Sequence, residues 1–380
     1  MTNTIKRRDK WHFLKLGARW DHATVPIYEA AARGKCVPLF KTLLTSYCKN
    51  ECKYCIFRAG RKSPRMTWEP EKLAKITMHL WKEGKIRGLF LTSSIHGDPD
   101  TVTERQLETL RLLRNMGYTG YIHLRLMPGI NRSFISEAIE LADRVGINFE
   151  APSRDIFHEL CPDKGSFKED IIKRFEWIVN EAQKTRKEKE KPKFGFAKAG
   201  VDTQMIVGAT EDNDVQYVYV TEWLYKNYGL KRVYYSGFEP VAQTPLEKQK
   251  PCAPSREYRL YQASFLLRDY GFQADEITQI ANDNGFLPNI DPKQELAKKH
   301  PEIFPIDLNN ASYKEIVRIP LIGPVTAKRI INQRKNMKIK YFSHLEQILG
   351  ANLAKKVAPY VELKDKSLNN FLKVNKGLQR

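Results

Sequence analysis

The chain has 380 residues, 42% of them hydrophobic, and a formal net charge of +20. That length supports one large domain and one small one. No uninterrupted apolar run is long enough to cross a bilayer, and the charged start Met1–Asp9 shows no signal-peptide pattern, so no membrane partner and a cytoplasmic location are expected. The positive excess favours a polyanionic partner. The run Lys184–Lys193 mixes signs and carries Pro192, so it reads as a helix end and exposed loop. Of six cysteines, three are concentrated in one segment. Cys36, Cys161 and Cys252 are scattered and read as reduced, buried thiols.

In chain order, Val37–Thr45 reads as a buried strand. A polar loop follows, Cys48-Lys-Asn-Glu-Cys52-Lys-Tyr-Cys55, with spacing C-x3-C-x2-C. Cys52–Cys55 alone fits a redox pair, and the triplet with a histidine fits zinc, although no second C-x2-C exists. Three thiolates also suit a cubane iron–sulfur cluster with one iron left open. An open iron can hold the amino and carboxylate groups of S-adenosylmethionine (SAM) and pass an electron into its sulfonium. The product, a 5′-deoxyadenosyl radical, takes hydrogen from unactivated carbon, and the protein's part is to aim it.

Further strand-like runs are Gly88–Thr92, Tyr121–Leu126, Ile147–Glu150, Thr203–Gly208 and Arg232–Ser236, counting the first from Pro38. Amphipathic helical patterns lie between them, such as Glu69–Trp81 and Glu104–Met116. Strands alternating with helices imply an α/β fold with a parallel sheet. An open doubly wound sheet is the alternative to a barrel.

The cysteine loop resembles the signature of the radical SAM superfamily, with the aromatic Tyr54 before the last cysteine, where it would pack beside adenine. The resemblance implies a partial (β/α)6 barrel with its site at the strand ends. It implies a 4Fe–4S cluster held by Cys48, Cys52 and Cys55, SAM as cofactor, and an electron donor such as flavodoxin or ferredoxin. Thr92, Ser93 and Ser94 resemble the Thr-Ser-rich second-strand motif of the lipoyl synthase branch and would receive the SAM ammonium. Arg125 is a partner for a carboxylate. Asn148, Glu150 and Ser153 end the fourth strand, where related enzymes bind the SAM ribose or substrate. A carboxylate in an apolar strand needs a partner, which Glu150 is expected to have. Gln204–Glu211 resembles the adenine-binding pattern G-x-I-x-G-x-x-E: Ile206, Gly208 and Glu211 are in register, and Gln204 replaces the first glycine. Tyr235 and Ser236 end the last strand.

Longer stretches, Gly120–Gly129, Asn148–Ser153, Thr203–Ala209 and Arg259–Gly271, resemble the DNA modification/repair branch of radical SAM proteins. That branch combines the barrel with a C-terminal helix-hairpin-helix, and it implies a uracil-DNA-glycosylase-like companion.

Ser255–Gly271 reads as one amphipathic helix, followed by the turn-dense segment Asn282–Pro292. A domain boundary is expected near residue 290: a barrel domain with an N-terminal extension over 1–290, and an all-α nucleic-acid-binding domain over 291–380. Asp307–Ile331 resembles a helix-hairpin-helix. Ser312 and Glu315 form a capping box, Ile319–Pro324 is the hairpin, and Val325–Arg334 the second helix. Leu321 stands where the common hairpin has its first glycine. Gly323 leads into a helix N-terminus able to face a phosphate of double-stranded DNA, with Val325, Thr326, Lys328 and Arg329 nearby. Tyr341–Val357 resembles a second copy, turning at Gly350.

The expected function is radical modification or repair of a nucleic acid, DNA before RNA. Two alternatives remain: a nucleic-acid-binding protein with a structural cluster, or a small-molecule radical SAM enzyme with a DNA-binding tail.

Overall fold

The structure is a computed structural model that describes residues 27–32, 35–188 and 193–365. Part of the Lys184–Lys193 run, the segment Met1–Asp9 and the Cys36 side chain lie outside the described residues. The chain forms two compact units. One takes residues up to Asp212 and Trp223–Glu257, and the other takes Asn213–Glu222 and everything from Tyr258. The position near 290 lies inside the second unit.

The first unit is built on a seven-stranded sheet: β1 (Ile27–Ala32), β2 (Lys35–Leu43), β3 (Gly88–Thr92), β4 (Tyr121–Arg125), β5 (Arg144–Gly146), β6 (Gly200–Val207) and β7 (Arg232–Gly237). Spatial order follows sequence order. β1 pairs antiparallel with β2, and β2 to β7 are all parallel. A doubly wound sheet reverses its strand order at a switch point. This one does not, so its six parallel strands wind one way as a half-barrel. The antiparallel edge β1 is an addition that the sequence reading did not contain.

Helices fill the crossovers because their apolar residues recur on one face. In α1 (Pro70–Lys82), Pro70, Leu73, Ala74, Thr77 and Met78 are buried, the spacing of a helical stripe. In α2 (Pro99–Asn115), Asp98 caps the first turn by accepting from the Thr101 N–H at 2.9 Å, and Pro99 sets the first helical residue. The remaining helices of this region are α3 (Ser133–Leu141), α4 (Arg154–Leu160), α5 (Arg174–Glu188) and α6 (Asp214–Tyr228), the last counted with the second unit up to Glu222. A π-helical stretch, Phe167–Lys173, runs directly into α5.

The fourth predicted strand is displaced. Ile147–Glu150 was expected to be strand, but the paired residues are Arg144–Gly146. Beyond Gly146 the Thr203 hydroxyl enters the ladder: it donates to the Ile147 carbonyl at 2.7 Å and accepts from the Phe149 N–H at 3.0 Å. Backbone contact with β6 resumes at Glu150, whose N–H reaches the Gln204 carbonyl and whose carbonyl takes the Ile206 N–H.

The second unit is helical, with a long helix, α7 (Pro254–Phe265), entering it. A π-helical turn, Leu266–Tyr270, extends α7 and ends at Gly271 with φ +75°. There follow α8 (Ala274–Thr278), α9 (Pro292–Lys299), α10 (Tyr313–Ile316), α11 (Pro324–Gln333), α12 (Phe342–Leu349) and α13 (Ala351–Val357). Ile316, Ile319, Ile322, Ile330, Leu345, Ile348 and Val357 share one buried core. The expected pair of helical hairpins is present. The Ser312–Glu315 capping box is formed in both directions. A bridge between Ile306 and Val361 closes the module.

Candidate active site

The cysteine loop is fastened from two sides. After β2, the Leu44 N–H donates to the Thr92 carbonyl at 2.8 Å, and the Lys49 N–H to the Ile95 carbonyl at 2.8 Å. From the other side, the Lys53 N–H donates to the Leu160 carbonyl at 2.9 Å, and the Glu51 N–H to the Asp163 carboxylate at 2.8 Å. Within the loop the Cys55 N–H donates to the Cys52 carbonyl.

All three cysteines line one cavity of about 200 Å³. Tyr54, Thr92, Ser93, Ser94, Arg125, Asn148, Glu150, Gln204, Ile206 and Ser236 line the same cavity. These lie at or just beyond the C-terminal ends of parallel strands, where a barrel gathers its reactive groups. Other predicted residues lie elsewhere. Ser153 caps α4, accepting from the Ile156 N–H at 3.4 Å. Gly208, at φ +80°, donates its N–H to the Asp212 carboxylate at 3.0 Å. Glu211 is exposed, and the buried carboxylate of that turn is Asp212, paired with Arg256. Tyr235 is buried in the sheet, outside the cavity wall.

Glu150 is the hub of the site. It is 1% exposed and sits at φ +64°, a left-handed conformation that costs a non-glycine residue energy and marks a position held by its surroundings. Its carboxylate accepts from the Tyr54 hydroxyl at 2.9 Å and pairs with Lys164. Although burial disfavours the Lys164 charge, Glu150 and the neighbouring Cys52 keep its ammonium well above the usual range. Nothing in the local sequence announced Lys164 as this partner.

Beneath lies a polar layer in register, Lys41 beside Phe90 beside His123. The Arg125 guanidinium donates to Asp202 Oδ1 at 2.9 Å, and His123 Nε2 lies 2.9 Å from Asp202 Oδ2. Phe90 stacks on His123 with ring centroids 4.1 Å apart, and Lys41 Nζ lies 5.0 Å from the Phe90 ring centre. Burial, reinforced by Arg125, pushes Lys41 down to about 7, and burial pushes His123 down to about 4. Arg125 is thus already committed to Asp202, which the sequence reading, offering Arg125 to a carboxylate, did not identify.

The donor set fits a cluster and SAM. Among the described residues no three His, Cys, Asp or Glu side chains converge as ligands of a single ion, which a zinc site of this kind needs. Cubane thiolates instead bind separate irons. A hydrogen bond from Cys161 holds Cys52 below the usual thiol range, while burial pushes Cys55 up to about 12. The buried Asn148 amide oxygen has no partner among the described residues and lines the cavity, as a group awaiting a ligand donor does. Cys48, Cys52 and Cys55 would hold the cluster, with SAM against the surrounding strand ends. Together they supply reductive cleavage and hydrogen abstraction; the chain supplies position and a closed polar wall.

In the second unit, Gly323 precedes α11 and Gly350, at φ +78°, joins α12 to α13. Leu321 takes φ +68° with its side chain 43% exposed. It therefore adopts the backbone that a glycine would take freely. Val325, Lys328 and Arg329 are exposed, and Thr326 is half-buried. The Arg329 guanidinium also donates to the Ile348 carbonyl at 3.3 Å, joining the two hairpins.

No curated protein matches this chain. Among solved structures, methylornithine synthase (PylB) is similar at 18% identity and TM-score 0.45, over 70% of each chain. The FeFe-hydrogenase maturase HydG from Carboxydothermus hydrogenoformans is similar at 14% identity and TM-score 0.45, over 60% of this chain and 51% of that one. A second HydG structure aligns over 98% of this chain and 88% of its own, at 12% identity and TM-score 0.45. Residues 303–362 match the helix-hairpin-helix motif. Residues 42–185, which include the cysteine loop and the ends of β3 and β4, match the Radical SAM superfamily, so the chain carries a radical SAM domain, an enzyme domain that uses a 4Fe–4S cluster and SAM.

Proposed function

We propose that this enzyme modifies or repairs a nucleic acid, DNA before RNA, as the branch it resembles in sequence implies. The carrying observation is that one chain holds both a radical SAM domain and a helix-hairpin-helix module. The module engages backbone phosphates, and the barrel cavity performs the chemistry. Gly323 leads into the ten-residue helix α11, whose first amides lack partners within the helix and favour an anion. Exposed Lys328 and Arg329 add donors. From residue 300 onward there are fifteen lysines and arginines against six carboxylates. Such contacts fix a duplex without reading sequence, and a duplex base has to be flipped to reach a barrel interior. The reaction draws electrons from a flavodoxin or ferredoxin, and a uracil-DNA-glycosylase-like protein is the expected companion.

The test has two readouts. Duplex affinity of the full chain should fall steeply with salt as counterions are released. Gly323→Val and Lys328→Glu should weaken it, the second lowering the salt slope by about one, while both spare SAM cleavage without substrate. Nucleosides from DNA incubated with reconstituted enzyme, SAM and reductant should then show a mass change. Unchanged affinity and slope in both variants, together with unaltered nucleosides, refute the proposal.

A further inference from the structure

The hairpin before α11 is held from behind by a lysine that lies outside the matched motif. Lys293 is the second residue of α9, where Asp291 caps the helix by accepting the Lys293 N–H at 3.0 Å and the Gln294 N–H at 3.2 Å. Its side chain is buried, with 6% exposure. The ammonium donates to the Ile322 carbonyl at 2.5 Å and lies 4.9 Å from the centre of the Tyr270 ring. The Tyr270 hydroxyl reaches the same turn, 3.3 Å from the place a Cβ on Gly323 would take. Burying a cation is costly unless it is hydrogen-bonded, and the Ile322 carbonyl supplies that bond.

Ile322 is thereby fixed from three directions. Its side chain is fully buried, and its N–H donates to the Ile319 carbonyl at 3.1 Å. That bond closes a turn with Pro320 in its second place and Leu321, at φ +68°, in its third, the pattern of a type II turn. The Ile322–Gly323 peptide is trans, so its carbonyl and its N–H point opposite ways. With the carbonyl turned inward to Lys293, the Gly323 N–H is turned outward. Pro324 then opens α11 without an N–H of its own. The first bond within the helix runs from the Ala327 N–H to the Gly323 carbonyl at 2.8 Å. The amides that precede it are those of Gly323, Val325 and Thr326, and the first of the three takes its direction from Lys293.

We infer that Lys293 is a positioning residue for the phosphate-facing hairpin: it anchors the Ile322 carbonyl so that the Gly323 N–H stays aimed at a nucleic-acid phosphate, and it does not touch that phosphate itself. The inference rests on the proposed role of the hairpin, and it assigns the aim of that hairpin to a residue of α9.

The experiment measures the affinity of the full chain for a DNA duplex across a salt series, with thermal unfolding recorded for every variant. Wild type, Lys293→Met, Lys293→Gln, Lys293→Arg, Gly323→Val and Lys328→Glu are compared. Lys293→Met should fold and bind about tenfold more weakly, on the scale of one hydrogen bond to a charged group. Its salt slope should match wild type, because the slope counts cations placed on phosphates and a buried positioning lysine is not one of them. Lys328→Glu, by contrast, lowers the slope by about one. Lys293→Gln, one atom shorter, is a second loss variant read by the same criteria, and Lys293→Arg, which keeps a charged donor, should recover part of the affinity. Unchanged affinity in the folded loss variants overturns the inference. A slope lowered by about one in them overturns it too, since Lys293 would then be a phosphate contact. Loss of the second unit's unfolding transition in both Lys293→Met and Lys293→Gln makes Lys293 a folding element and overturns it equally. If wild type and Gly323→Val bind alike, or if binding does not respond to salt, the proposed hairpin contact fails instead.

Discussion

The Tyr54 hydroxyl donates to Glu150 Oε2 at 2.9 Å, joining residues 96 positions apart. One belongs to the cysteine loop, the other to the segment where the chain leaves β5 and returns to β6. Lys164 closes the arrangement from the far side of α4. The site's cysteine loop and its strand-end wall therefore share one buried carboxylate.

Glu150→Gln leaves the Lys164 ammonium buried without its counter-charge. Breaking a buried pair from one side costs about 3–5 kcal/mol, which a denaturant titration will show. The double variant Glu150→Gln with Lys164→Met removes both charges and should recover most of that loss. SAM affinity, measured by equilibrium dialysis, should be weakened in both variants, since neither offers the carboxylate to the cavity. Recovery of SAM affinity along with stability would show that Glu150 serves the fold alone.

Cys48→Ala, Cys52→Ala and Cys55→Ala should each abolish reductive SAM cleavage, scored as 5′-deoxyadenosine by chromatography. Iron content should fall from about four per chain in each. Cys252→Ala should retain both. A variant of the triplet that still cleaves SAM would remove that cysteine from the ligand set.

Leu321 holds a left-handed backbone at φ +68° with its side chain largely in solvent. That conformation costs an L-residue about 1–2 kcal/mol, and glycine's greater unfolded-state entropy offsets part of it. Leu321→Gly should stabilise the second unit by about 1 kcal/mol, seen as a higher midpoint in thermal or urea unfolding. A lower midpoint would mean that the Leu321 side chain contributes more than its exposure indicates.

Three buried bases give stability a pH dependence of known sign. Lys41 is pushed from 10.5 to about 7 in the fold, so between those values the unfolded chain binds more protons. Stability therefore rises with pH across that window. His123 is pushed from 6.5 to about 4, so stability falls as pH drops from 6.5 toward 4. Lys41→Met removes a buried ionisable group and should raise stability at neutral pH by about 1–4 kcal/mol while flattening the upper limb. Lys293, in the second unit, is likewise pushed down to about 7 by burial. Lys293→Met is thus the control that separates the two contributions. An upper limb unaltered in Lys41→Met would place the Lys41 ammonium in a wetter setting than the fold provides.

The sequence by itself determined the parts whose signal is local. The cysteine spacing, the strand Gly88–Thr92, the capping box at Ser312 and Glu315, and the second hairpin turning at Gly350 depend on residues within one turn or one strand of each other. Thr92–Ser94, Asn148, Glu150 and Gln204 were legible as strand-end residues, because a polar residue closing an apolar run points to the mouth of a parallel sheet. Only the tertiary structure decided what crosses between elements. The displacement of β5 depends on one Thr203 hydroxyl from a neighbouring strand. The pairings of Glu150 with Lys164 and of Arg125 with Asp202 form where distant segments meet in a low-dielectric interior. Such an interior demands partners for buried charge and polar groups, and no periodicity along the chain records which partner that is.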